Sequence, residues 1–63
     1  MELIKQTYQG LSSDTYLVQL SPDEFDKPNN ELIDICDQGR FNYGGMVNRL
    51  GLSGRAEITV WRD

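Results

Sequence analysis

The sequence predicts an α+β fold, a four-stranded antiparallel sheet (β-β-α-β-β) with one short helix covering one face. Three runs alternate between apolar and polar residues, as half-buried strands do, and turn-forming residues join them, with a fourth short run, into two pairs. Between the pairs lies a segment whose apolar residues recur at spacings of three and four. The 63 residues are enough for a single small domain, residues 1–63.

The first two strands are predicted over residues 3–9 and 15–20, where the side chains have a period of two. Residues 10–14 between them are rich in glycine, serine and aspartate, which favour turns. We therefore expect a β-hairpin with a loop of about five residues.

A helical turn is predicted to start at Ser21. Pro22 suits the first helical position, and the next two residues are acidic, which favours the positive end of the helix dipole. Because Pro28 disfavours helical angles at the residue before it, we expect a short turn over residues 23–26.

A second helix is predicted to follow, capped by Asn29 or Asn30, to run to about residue 38 and to stop at Gly39. Its apolar face is expected to carry Leu32, Ile33 and Cys36, with Ile35 at the edge. Its solvent side is expected to carry Glu31, Asp34 and Gln38.

The last two strands are predicted over residues 46–50 and 55–62, with Gly44-Gly45 before the first and a glycine-bounded turn between them. The final strand has the clearest alternation, and its residues Ala56, Ile58 and Val60 share one face. The predicted core comprises Tyr16, Val18, Leu32, Ile33, Cys36, Ile58 and Val60.

Trp61 has the opposite parity to Ile58 and Val60, so it is predicted to lie on the sheet face away from the helix. Exposed tryptophan is common at binding hot spots, and Trp61 is therefore a candidate partner-binding residue. The alternatives are that Trp61 folds over a strand edge, or that the core uses the other parity.

Charge is divided unevenly along the chain. Residues 14–37 carry seven carboxylates and one lysine, a balance of −6, whereas residues 38–63 have a balance of +2. Such asymmetry favours oriented contact with a charged partner, although a solvated helix face or a mimic of nucleic-acid phosphates fits the pattern too. The carboxylates expected to face solvent and bind a basic partner are Asp23, Asp26, Glu31, Asp34 and Asp37.

The basic residues do not predict nucleic-acid binding. Binding to nucleic acid strengthens with the number of phosphates neutralised, and the net charge here is −4. We expect no direct nucleic-acid binding. The arginines are expected to pair with Glu57 and Asp63 or to face the acidic helix; they are Arg40, Arg49, Arg55 and Arg62.

The composition argues against catalysis. Histidine is absent and Cys36 is the single cysteine, which removes the Ser-His and Cys-His nucleophile arrangements, an intramolecular disulfide and the usual zinc sites. We expect no enzyme activity, catalytic residue, metal or cofactor. We expect the chain to be cytoplasmic, because it has neither an apolar leader nor a run of membrane length and its unpaired cysteine fits a reducing compartment. We expect it to be a monomer or a homodimer.

In size, acidity and lack of catalytic chemistry, the chain resembles the small phage- and plasmid-encoded proteins that inhibit host defence systems, anti-restriction and anti-CRISPR proteins among them. The resemblance implies a stoichiometric inhibitor that docks on the basic surface of a nucleic-acid-handling protein. The alternative is a small structural or adaptor subunit that pairs, with itself or another chain, through its sheet face and Trp61. Steep loss of association with salt would favour the inhibitor.

Overall fold

The four strands form one antiparallel sheet, and one helix packs on it, as the sequence predicts. The computed structural model describes residues 1–38 and 44–62. The strands are β1 (Glu2–Gln9), β2 (Ser13–Gln19), β3 (Gly45–Arg49) and β4 (Arg55–Trp61), and the helix is α1 (Asn29–Asp37). Two short 3₁₀ turns lie at Pro22–Glu24 and Gly51–Ser53.

The strand order is β1-β2-β4-β3, so that β2 and β4 are central and join the two hairpins. In their antiparallel register Tyr16 lies opposite Ile58, and Val18 lies opposite Ala56. The hairpin patterns alone did not specify this order. The central strands are the two with buried residues: β4 buries every second residue, and β2 buries Asp14 and Val18. The helix α1 contacts β3 and β4 on that buried side.

The core lies on the side of the sheet that the alternation of β4 predicts. Its fully buried apolar residues are Val18, Leu20, Leu32, Ala56, Ile58 and Val60. Tyr16, Ile33 and Cys36, which were also predicted to be core residues, pack against this cluster and are half-buried. The face of the sheet that carries Ile58 is therefore the one that α1 covers.

The helix α1 begins differently from the prediction. Its N-cap residue is Pro28, without a side-chain cap hydrogen bond, so the prediction that Asn29 or Asn30 caps it is wrong. The Asn29 side chain instead accepts a hydrogen bond of 3.3 Å from Arg49, which removes it from a capping role. At the other end Gln38 takes the left-handed conformation, with φ of 59°, and Gly39 lies outside the described residues.

The first hairpin is tighter than predicted, because β2 begins at Ser13 and leaves a three-residue loop. The Gly10 N–H donates to the Ser13 carbonyl at 2.8 Å across it. The strand β1 also departs twice from regular pairing, between Leu3 and Lys5 and between Gln6 and Tyr8. Simple alternation along β1 therefore does not predict which side chains share a face.

The two glycines at the start of β3 have different roles. Gly45 lies opposite Val60, and a Cβ atom there would overlap the Thr59 carbonyl oxygen. Gly44 has a φ of 96°, a conformation that favours glycine, and its carbonyl accepts a 3.1 Å hydrogen bond from the Trp61 N–H. Close approach of β3 to β4 thus depends on Gly45.

Candidate functional site

Four of the five carboxylates predicted to bind a partner are exposed: Asp23, Asp26, Glu31 and Asp34. Asp23 lies in the 3₁₀ turn and Asp26 just after it. Glu31 and Asp34 are three residues apart on α1, the spacing that makes side chains neighbours on a helix surface. These four residues are called the acidic surface below.

Two cations border the acidic surface. Lys27 Nζ is 3.8 Å from Glu31 Oε2, an exposed pair that contributes little to stability. The Arg49 guanidinium donates hydrogen bonds to the carbonyls of Phe25 and Lys27, at 3.2 and 2.9 Å, and so ties β3 to the segment before α1. The four carboxylates of the acidic surface and Lys27 together carry a charge of −3.

The other carboxylates of residues 14–37 are buried and support the fold. Asp37 is only 5% exposed, so the prediction that it faces solvent is wrong. The physical reason is that Asp37 follows the half-buried Ile33 by four residues, which places both on one side of the helix. Asp14 is also buried and pairs with Arg62 at 3.0 Å.

Glu24 is the third buried carboxylate, at 5% exposure. It accepts hydrogen bonds from the Ser21 backbone N–H at 2.8 Å and from the Met1 ammonium group at 3.0 Å. Burial alone would raise the pKa of Glu24, but these hydrogen bonds outweigh burial and the pKa is lowered. Glu24 therefore holds the 3₁₀ turn against the start of the chain.

We expect Glu24→Gln to destabilise the fold at neutral pH by roughly 1–3 kcal/mol, because a buried charged acceptor is lost. A lowered folded-state pKa contributes stability that is present above the unfolded-state pKa and is lost as pH falls through the folded-state value. The difference between parent and variant should therefore shrink on acidification, as measured by urea unfolding at several pH values. Glu31→Gln, at an exposed carboxylate, is the control. A difference in the free energy of unfolding between parent and variant that stays constant down to acid pH would contradict the prediction.

Asp23 has a lowered pKa for a local reason. The Ser21 hydroxyl donates to Asp23 Oδ1 at 2.6 Å, and this hydrogen bond, followed by one from the Asp23 backbone, lowers the pKa of the side chain. The carboxylate of Asp23 is therefore ionised and held in place within the acidic surface.

Trp61 lies on the sheet face away from α1, as its parity predicts, and is 42% exposed. Its ring lies above Gly44, where an added Cβ would be 3.7 Å from it. Tyr8 and Met46 are exposed on the same face, and neither was predicted from the sequence as a binding residue. The parity of β3 could have identified Met46, whereas the irregular pairing of β1 concealed Tyr8. The sheet thus separates Trp61 from the acidic helix.

Two arginines have internal roles. Arg62 pairs with Asp14 and donates to the Gly10 carbonyl, so it joins the end of β4 to the first hairpin. This contact differs from the expected pairing with Glu57 or Asp63. Arg49 faces the acidic segment, which was the other arrangement expected for the arginines. Arg40 and Asp63 lie outside the described residues.

Cys36 is half-buried beside the core, and burial, with a smaller effect of Asp37, raises the pKa of its thiol. A raised pKa lowers the thiolate fraction and with it the reactivity. Over residues 1–38 and 44–62, the His, Cys, Asp and Glu side chains form no group of three that could hold a metal ion. In the same residues no helix has the length and apolar character needed to cross a membrane.

Comparisons with protein-family models, curated proteins and solved structures give no match for this chain. No residue role can therefore be transferred from a relative. The candidate sites are the acidic surface on the helical segment and the exposed apolar side chains on the opposite face of the sheet.

Proposed function

We propose that this protein is a non-enzymatic binding protein that inhibits a larger nucleic-acid-handling protein by occupying its basic surface. The contact residues are Asp23, Asp26, Glu31 and Asp34. The proposal extends to the inhibition of a host defence system by a phage or mobile-element protein.

The observation that carries the proposal is the exposure of these four carboxylates on one short segment. Arg49 holds the backbone of that segment, and Ser21 positions the carboxylate of Asp23. A surface whose charges are already positioned loses less conformational entropy on binding. Electrostatic complementarity of this kind speeds association and selects a partner of opposite charge.

The test begins with a pull-down that identifies the basic partner, followed by association kinetics over a range of salt concentrations. The variant is Glu31→Lys with Asp34→Lys, since single exposed carboxylates contribute little. Asp37 is left out because its side chain is buried. We expect the association rate at low salt to fall by roughly tenfold or more, and its salt dependence to flatten.

The matched control is Glu2→Lys with Glu57→Lys, which makes the same change in net charge on the other face of the sheet. This control should bind much as the parent does. If the control lost binding and the acidic-surface variant did not, the proposal would be wrong. The sheet face with Trp61 would then be the partner-binding surface, as in the adaptor alternative.

A further inference from the structure

The sheet face opposite α1, here called the open face, is not covered by any described element. The helix α1 contacts β3 and β4 on the other side, and the described loops lie at the ends of the strands. A sheet in a small domain gains stability when both faces are covered. The open face is therefore a surface on which a second layer can pack.

The exposed apolar side chains of the open face lie toward the end that carries the first hairpin loop, and the half-buried Leu17 lies one row further along the sheet. One cross-strand row there runs Tyr8, Thr15, Thr59, Met46, and the hydroxyls of the two threonines are 2.8 Å apart. Tyr8 and Met46, at the two edges, are 58% and 61% exposed. Trp61 lies at the same end of the sheet. Aromatic and thioether groups, which are enriched at interfaces, therefore extend across the strands from the β1 edge to the β3 edge.

The charges of the open face balance. Glu2 and Lys5 lie on β1, and Arg55 and Glu57 lie on β4, in the two rows nearer the other end of the sheet. A face without net charge does not repel a copy of itself. Two acidic surfaces would repel each other, whereas contact through the open faces leaves them on the outside of the pair.

We propose that the open face binds a second copy of this chain, forming a symmetric homodimer with two sheets packed face to face between two outer helices. The inference does not depend on the proposed inhibitor function, because different residues carry it. Packed sheets of this kind keep their strands within about 30° of each other.

The two-fold axis runs parallel to the strands. This axis places β1 of one copy over β3 of the other, so that Tyr8 faces Met46 of the second copy, a favourable sulfur–aromatic contact made twice. Lys5 then faces Asn48 of the second copy, one strand away from its Glu57. An axis across the strands would instead bury the charged row of Lys5 and Glu57 against the apolar end, which is unfavourable.

The small area of the open face favours a weak interaction. Strands of five to eight residues, at about 3.3 Å per residue and about 4.8 Å apart, give a face of roughly 400 Å². Two faces bury roughly 800 Å², at the small end of protein interfaces. We therefore expect a reversible dimer with a dissociation constant between about 1 μM and 1 mM.

Sedimentation velocity from about 10 μM to about 1 mM tests the dimer, with circular dichroism to show that each variant folds. Emission from Trp61, the single tryptophan, should shift to the blue as concentration rises. Met46→Lys should weaken dimerisation about tenfold or more, whereas Ile35→Lys, at an exposed position on α1, should not. A monomer throughout with unchanged Trp61 emission, or a dimer lost only in Ile35→Lys, would overturn the proposal.

Disulfide crosslinking tests the orientation. Tyr8→Cys and Met46→Cys are made separately in a Cys36→Ser background, and the purified chains are oxidised mildly, alone and mixed. The proposed axis predicts crosslinks mainly in the mixture, because Tyr8 of each copy lies over Met46 of the other. Faster crosslinking of Tyr8→Cys with itself would show that the copies meet at their β1 edges, contrary to the proposal.

Discussion

Ile58→Ala should destabilise the fold by about 2–5 kcal/mol, the range for truncating a buried isoleucine. Ile58 is 0% exposed and lies on a central strand between Tyr16 of β2 and Val47 of β3. The truncation leaves a cavity beneath α1 that neighbouring side chains fill only in part. In so small a domain the melting temperature should fall by roughly 10 °C or more.

The matched control is Ile35→Ala, the same truncation at a helix residue that is 39% exposed. It removes less buried area and should cost much less stability, in thermal and urea unfolding alike. If Ile58→Ala melted like the parent, β4 would have the opposite parity and Trp61 would lie inside.

Gly45→Ala is expected to have the next largest effect, a destabilisation of roughly 1–3 kcal/mol from overpacking. An added Cβ would overlap the carbonyl oxygen of Thr59, which belongs to the backbone of β4 and cannot rotate away. Relief requires β3 to move off β4 where their pairing begins, at Gly45 opposite Val60. Urea unfolding measures the loss.

Gly10→Ala is the control for Gly45→Ala. The atoms nearest to a Cβ at Gly10 belong to the exposed ring of Tyr8, which can turn aside. We therefore expect Gly10→Ala to be tolerated. Equal effects of the two substitutions would show that loss of glycine flexibility, rather than overlap with Thr59, is responsible.

Local patterns were sufficient to predict the elements of this fold. The alternation of Ala56, Ile58 and Val60 has a period that only a strand with one buried face satisfies, and it predicted both the core and the side on which Trp61 lies. The spacing of Leu32 and Cys36 likewise identified the buried side of α1. Such patterns depend on backbone geometry, which is the same wherever the segment lies in the fold.

The candidate site was only partly predictable, because each carboxylate has the same charge in the sequence whatever its surroundings. Asp14, Glu24 and Asp37 are buried, and the first two pair with Arg62 and with the Met1 ammonium group. Arg62 is 48 residues beyond Asp14 in the chain, and nothing local indicates their contact. Residues 14–37 have a charge balance of −6, and their charge at the protein surface is smaller because three of their carboxylates are buried.

The sequence by itself determined the fold class, the parity of the last strand and the lack of histidine chemistry, since these follow from local periodicity and composition. Only the tertiary structure decided the strand order, the burial of Asp37 and the face shared by Tyr8 and Trp61. These depend on β2 pairing with β4 and on the irregular register of β1. The physical reason is that burial and long-range pairing arise from contacts between residues distant in the chain, for which local pattern carries no signal.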